Sequence, residues 1–109
     1  MSKSLITIDE GVKDGLPPVH PGEVLQDELA ELGVSANAFA AALDVPGNRI
    51  SQILAGRRAI SADTALRLAR FFGTTARFWL NLQNLYDLKI TAKSSGPAIL
   101  QRVQPRIAA

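Results

Sequence analysis

The sequence has no cysteine and only one histidine among its 109 residues. The absence of cysteine excludes disulfide bonds, thiolate metal sites and a cysteine nucleophile, and it fits a reducing cytoplasm. The histidine, His20, has only Glu23 near it in sequence, so the chain offers no set of metal ligands. A glycine-rich phosphate loop and a Ser/His/Asp set are also absent, which argues against an enzyme and against a bound cofactor.

Long hydrophobic runs are absent as well. No apolar stretch approaches the roughly 20 residues that span a membrane, and residues 1–14 lack the hydrophobic segment of a signal peptide. Hydrophobic residues make up 47% of the chain and charged residues 20%, as in a globular protein that buries a modest core. We therefore expect one cytoplasmic protein domain without membrane association.

The charges are unevenly distributed between the two halves of the chain. Residues 1–48 carry two lysines against eight acids, whereas residues 49–109 carry ten lysines and arginines against two acids, for net charges of −6 and +8. This division is typical of a protein with one surface for a polyanion and another, acidic surface for a basic partner. A solvated mixture of both signs is the alternative.

Hydrophobic periodicity predicts five helices and no clear strand. The predicted helices run from Gly22 to Leu32, from Ser35 to Asp44, from Pro46 to Gly56, from Ser61 to Phe72, and from Thr74 or Thr75 to about Lys89. In the fourth helix the residues predicted to face inward are Ala65, Leu66, Ala69 and Phe72, and Arg67 and Arg70 are predicted to face out. An arm (1–18) precedes the helical domain (19–92), and a loosely attached tail (93–109) rich in proline follows it.

The segment 35–56 is predicted to form two short helices about one bend. Ser35 can cap the first helix, and Asp44 stands at the bend because aspartate tolerates the left-handed conformation at low cost. Pro46 suits the first turn of the second helix, which Gly56 closes. The outward residues of the second helix are Gly47, Asn48, Arg49, Ser51 and Gln52. This arrangement is typical of a helix-turn-helix that presents polar side chains to a DNA groove; an ordinary hairpin with a solvated face is the alternative.

Three further motifs accompany this segment. They are HPGE at His20–Glu23, GRR at Gly56–Arg58 with Ile60–Ser61, and FWLNLQ at Phe78–Gln83 with Tyr86–Asp87. Together with the bend they resemble the HigA/VapI class of antitoxins, a branch of the lambda-repressor-like helix-turn-helix superfamily, over about residues 20–89. The resemblance implies an all-α, five-helix fold. It also implies a dimer that silences a HigB-type toxin, an mRNA endonuclease, and represses its own operon by binding operator DNA. A stand-alone repressor without a toxin partner is the alternative.

The resemblance also implies which residues contact DNA. The implied base contacts are Asn48, Ser51 and Gln52, together with Arg49, for which a phosphate contact is the alternative. The implied phosphate contacts are Ser35, Asn37, Arg57 and Arg58. Gly47 is also predicted to contact a phosphate, because a residue without a side chain allows the backbone to come close to DNA. The chemistry of these residue types agrees, since asparagine and glutamine can pair with adenine and arginine with guanine or phosphate.

Two further surfaces are predicted to bind protein partners. Trp79 and Tyr86 lie seven residues apart and are predicted to form part of a symmetric dimer contact, with burial in the core as the alternative. HigB-type toxins are, as the resemblance implies, basic proteins. The toxin is therefore predicted to dock on the arm and the first helix, where Glu23, Asp27 and Glu28 would bind it, unless these acids only solubilise the helix.

Overall fold

The computed structural model describes residues 15–107, which form five α-helices and no strand. The helices are α1 (Pro21–Leu32), α2 (Ala36–Leu43), α3 (Gly47–Leu54), α4 (Ala62–Phe72) and α5 (Ala76–Arg102). The predicted all-α fold is confirmed. No helix within the described range is both long enough and apolar enough to cross a membrane. Most of the predicted arm, residues 1–14, lies outside the described residues.

Side-chain caps determine where four of these helices begin. Ser35, Ser61 and Thr75 each accept a hydrogen bond from the backbone N–H three residues further along the chain. His20 caps α1, whereas α3 follows Pro46, which has no capping side chain. Each cap pairs an N–H group that the first turn of a helix leaves without a partner. The predicted caps at Ser35 and Ser61 are confirmed.

Buried side chains from all five helices, together with Ile60 from the loop between α3 and α4, form one core. The core residues are Leu25, Leu29, Phe39, Ala40, Leu43, Ile50, Ile53, Ile60, Ala65, Leu68 and Trp79. The inward face of α4 differs from the prediction, because Leu66 is 64% exposed and Leu68 is fully buried. An inward Leu66 and an inward Leu68 both agree with helical spacing. In the structure α4 is rotated so that Thr64, Ala65 and Leu68 face the core.

The last helix is longer than predicted. α5 has 27 residues and ends at Arg102, so the end predicted near Lys89 is wrong. The serines, Gly96 and Pro97 in this segment are poor helix formers, which is why the sequence pattern predicts a stop. Gly96 is nevertheless buried within the continuous helix. The division into arm, domain and tail stays a prediction. The predicted boundary between domain and tail, at residues 92 and 93, falls inside α5.

Candidate nucleic-acid interface

Asp44 forms the bend between α2 and α3. It adopts the left-handed conformation, with φ 58° and ψ 51°, and no other non-glycine residue between 15 and 107 has a positive φ. Its N–H donates to the carbonyl oxygen of Ala41 at 3.1 Å, and the N–H of Val45 donates to that of Ala40 at 3.0 Å. These bonds satisfy carbonyl groups that the end of a helix leaves unpaired. The prediction that Asp44 makes the bend is confirmed.

Arg67 of α4 braces this bend. Its Nη1 donates to the carbonyl oxygens of Leu43 at 2.9 Å and Asp44 at 3.1 Å. Its Nε donates to Oδ2 of Asp63, one turn earlier in α4, at 2.9 Å. Hydrogen bonds from a charged donor are stronger than neutral ones, so Arg67 ties the bend to α4. The sequence pattern predicts only that Arg67 faces out.

Asp63 connects α4 to α3 as well. Its Oδ2 also accepts a hydrogen bond from Nη1 of Arg49 at 2.6 Å, so one carboxylate oxygen is shared by two guanidinium groups. Hydrogen bonds from Arg67, and secondly from Arg49, lower the pKa of Asp63 below its ordinary value of 3.8. Asp63 in turn raises the pKa of Arg67. Neither residue is a site candidate from sequence, although their spacing of four residues on one helix is a known signal for an ion pair.

The polar residues predicted to contact bases lie on the side of α3 away from the core. Asn48 and Ser51 are exposed, and Gln52 is half-buried. The hydroxyl of Ser51 donates to the carbonyl oxygen of Asn48 at 3.3 Å. Arg49 is half-buried and its guanidinium is held toward α4 by Asp63. The four residues therefore lie on one short helix, α3, outside the core. Their contact with bases stays a prediction.

The residues predicted to contact phosphates fall into two groups, one at each end of α3. At its start, a Cβ built on Gly47 would lie 3.1 Å from Oδ1 of Asn37, so the first turns of α2 and α3 are adjacent. Ser35 is exposed, and its hydroxyl is used as the cap of α2. Beyond the end of α3, Arg57 and Arg58 are exposed. Their contact with phosphates also stays a prediction.

Trp79 and Tyr86 do not form one exposed patch. Trp79 is 2% exposed, its Nε1 donates to the hydroxyl of Thr74 at 2.9 Å, and its ring lies 5.6 Å from that of Phe72. Tyr86 is half-buried, with its ring 4.9 Å from the ring of His20 in an edge-on contact. The indole thus packs inside the folded chain, whereas the spacing predicts it between two copies. The reason is that Trp79 lies on the side of α5 that faces the core.

Glu23, one of the three predicted toxin-binding acids, has a structural role. Its Oε2 accepts a hydrogen bond from the N–H of His20 at 3.3 Å, and Nδ1 of His20 accepts one from the N–H of Gly22 at 2.9 Å. This reciprocal pair is a capping box at the start of α1. Asp27 and Glu28 are exposed further along α1. A substitution of Glu23 therefore removes a capping hydrogen bond of α1 as well as a surface charge.

Proteins of similar sequence and fold are known. The family model described as helix-turn-helix matches residues 25–79. Virulence-associated protein I of Dichelobacter nodosus is 52% identical over 79 residues, which are 72% of this chain and 73% of the relative. An addiction module antidote protein of the HigA family from Coxiella burnetii has a solved structure that covers 84% of this chain and 100% of its own, with 54% identity and a TM-score of 0.81. The Pseudomonas aeruginosa antitoxin HigA, solved with the higBA promoter, covers the same shares with 42% identity and a TM-score of 0.80.

Proposed function

Because this chain belongs to the helix-turn-helix family, in the branch that contains HigA and VapI, we propose that it is a cytoplasmic antitoxin. In this proposal it binds operator DNA as a dimer, represses its own operon and neutralises a HigB-type toxin. The observation that carries the DNA-binding part is the exposed polar face of α3, which follows a left-handed bend at Asp44 that Arg67 braces. The similar antitoxin solved with promoter DNA supports it.

The DNA-binding part of the proposal follows from the position of α3. A recognition helix enters the major groove with its first residues toward the bases, and Asn48, Ser51 and Gln52 occupy the outer face of α3. Phosphate contacts fix the register of a protein on DNA, whereas base contacts carry the sequence information. Asn37 near the start of α3 and the arginine pair Arg57–Arg58 beyond its end would contact the backbones on the two sides of the groove.

The dimer part rests on symmetry. A two-fold protein with one reading helix in each copy binds an inverted repeat, whose half-sites lie about 34 Å apart for one turn of DNA. Tyr86 is half-buried in one protomer and keeps some surface for a contact with a second copy. Trp79 does not, since its side chain is enclosed in the protomer.

The toxin part rests on charge. Asp27 and Glu28 are exposed on α1, whereas the proposed DNA contacts belong to α2, α3 and the loop after α3. Carboxylates on a neutralising protein can occupy the positions that RNA phosphates would take on a basic toxin. The two functions therefore use different helices of this chain.

One pair of measurements tests the proposal. The purified protein is titrated with the DNA upstream of its gene and with random DNA of equal length, and it is co-expressed with the product of the adjacent gene in a growth assay. We expect preferential binding to the upstream DNA and rescue of growth. Preferential binding without rescue would identify a stand-alone repressor, and equal binding to both DNAs would contradict the DNA-binding part.

A further inference from the structure

We propose that Asp63 is a positioning residue for base recognition, which holds Arg49 in the orientation from which its guanidinium reads a guanine. The inference rests on the proposed DNA-binding function and adds a residue from a helix that lies outside the helix-turn-helix itself. Asp63 is the second residue of α4 after its cap, Ser61, and Arg49 is the third residue of α3 after Pro46.

The contact between Arg49 and Asp63 leaves most N–H donors of Arg49 available for a base. Only Nη1 of Arg49 donates to Asp63, at 2.6 Å, and among the described residues the Nε and Nη2 groups of Arg49 have no hydrogen-bond partner. Guanine presents two acceptors, O6 and N7, in the major groove, and two N–H groups of one guanidinium fit them in a single plane. The Arg49 guanidinium, bound to Asp63 through Nη1 alone, therefore still has the two donors that pairing with guanine needs.

Asp63 is itself fixed, which a positioning residue must be. Its Oδ2 accepts from Nε of Arg67 at 2.9 Å, and Nη1 of Arg67 is bound to the carbonyl oxygens of the bend. A continuous series of hydrogen bonds thus runs from the end of α2 through Arg67 and Asp63 to Arg49. Since a long arginine side chain otherwise samples many rotamers, this series preorganises Arg49 before DNA is bound.

Substitution of Asp63 has two separable effects on DNA binding, and only the loss of preference for one base distinguishes a positioning residue from a purely structural ion pair. A carboxylate next to the proposed DNA face repels phosphates of every sequence, and it offsets part of the charge of Arg49. Removing this carboxylate should strengthen binding to random DNA, while releasing Arg49 should weaken the preference for one base. The two effects have opposite directions in one variant.

The test uses Asp63→Asn, Arg49→Ala and the double variant, with Glu31→Gln as a control that removes an exposed acid from α1. Affinities are measured for the operator, for operators with single base changes, and for random DNA at one salt concentration. We expect Asp63→Asn to lower the ratio of operator to random affinity about ten-fold, with the loss confined to one guanine in each half-site. The double variant should lose no more base preference than Arg49→Ala, because both changes remove the same interaction with the base.

Several results would overturn the inference. An unchanged ratio in Asp63→Asn, with a wild-type protein that still prefers its operator, would leave Asp63 as only a tie between α3 and α4. If Asp63→Asn does not fold, Arg49→Ala decides, since alanine has no donor for guanine; full retention of the guanine preference would exclude base reading by Arg49. A wild-type protein that does not prefer its operator would instead reject the proposed function.

Discussion

Arg67 and Asp44 are joined by a hydrogen bond from the guanidinium Nη1 to the main-chain oxygen at 3.1 Å, although 23 positions separate them in sequence. Asp44 occupies the bend in the left-handed conformation, which a residue with a Cβ adopts at a cost that glycine does not have. The arginine therefore supports the bend at the position where the backbone is least favourable.

Removal of the Arg67 contact with the bend should weaken DNA binding, although it leaves the side chains on the surface of α3 unchanged. We expect Arg67→Ala to reduce operator affinity several-fold, because the angle between α2 and α3 is no longer tied to α4. The operator affinity of Arg67→Lys should lie between those of the wild type and Arg67→Ala, since an ammonium can reach one acceptor but not both Asp63 and the carbonyl oxygens of the bend. Arg70→Ala, which removes an exposed arginine from the same helix, is the control for charge. Equal losses in Arg67→Ala and Arg70→Ala would show that only charge matters here.

Gly22 lies where α1 and α3 approach each other closely. A Cβ built on Gly22 would overlap the carbonyl oxygen of Ile53, so α1 and α3 cannot keep their distance with a larger residue there. We expect Gly22→Ala to lower the free energy of unfolding by about 1 to 3 kcal/mol, as overpacking does. The measurement is thermal unfolding. Gly47→Ala is the control, because its Cβ would meet only the end of the Asn37 side chain; a similar loss in both variants would contradict the explanation.

The residues of the recognition helix and those beyond it should respond differently to substitution. Asn48→Ala and Gln52→Ala should each weaken operator binding by about 1 to 3 kcal/mol and leave binding to random DNA nearly unchanged. Arg57→Ala and Arg58→Ala should weaken binding to every sequence and flatten the slope of log affinity against log salt by about 0.9 for each phosphate that is no longer neutralised. Titrations at several salt concentrations separate the two classes. An equal loss of affinity for operator and random DNA in Asn48→Ala would mean that α3 is oriented differently.

Local chemistry made much of this fold predictable. Ser35 and Ser61 are strong cap residues, and aspartate is one of few residues that accept the conformation of the bend, so these positions follow from the chain itself. Hydrophobic spacing did not determine the rotation of α4, since Leu66 and Leu68 both fit a helical stripe and only tertiary packing selects Leu68. Spacing likewise favoured a dimer contact for Trp79, whose side chain is enclosed in the folded chain.

Side-chain contacts between residues far apart in the chain could not be predicted from the sequence. Gln83 is buried, and its Oε1 accepts the N–H of Ile60 at 2.8 Å across the loop before α4. Arg49 meets Asp63 in the same way, from a different helix. No periodicity relates such pairs, because they depend on how the helices are arranged in space.

The pKa of Asp63 predicts how stability depends on pH. Hydrogen bonds from Arg67 and Arg49 lower this pKa in the folded protein below the ordinary value of 3.8. A lowered pKa means that the ionised form is stabilised by folding, so the contribution is fully present above the ordinary value and is lost as pH falls through the lowered one. We expect the difference in Tm between wild type and Asp63→Asn to be constant near neutral pH and to shrink below pH 3.8. A difference that stays constant down to the lowest pH would contradict the assignment.

The capping box at the start of α1 determines which acids of this helix can be reversed to test toxin binding. Glu23 accepts the N–H of His20, so its reversal to lysine would disturb the start of α1 and mix a folding defect with a binding defect. The double variant Asp27→Lys/Glu28→Lys keeps Glu23 and reverses only exposed charges on α1. We expect this variant to bind operator DNA normally and to lose neutralisation, because a basic toxin would meet two positive charges in place of two negative ones. Arg102→Glu on the last turn of α5 is the control for charge reversal elsewhere. Growth of cells that express the toxin is the measurement, and full rescue by the double variant at normal expression would remove this face of α1 from the mechanism.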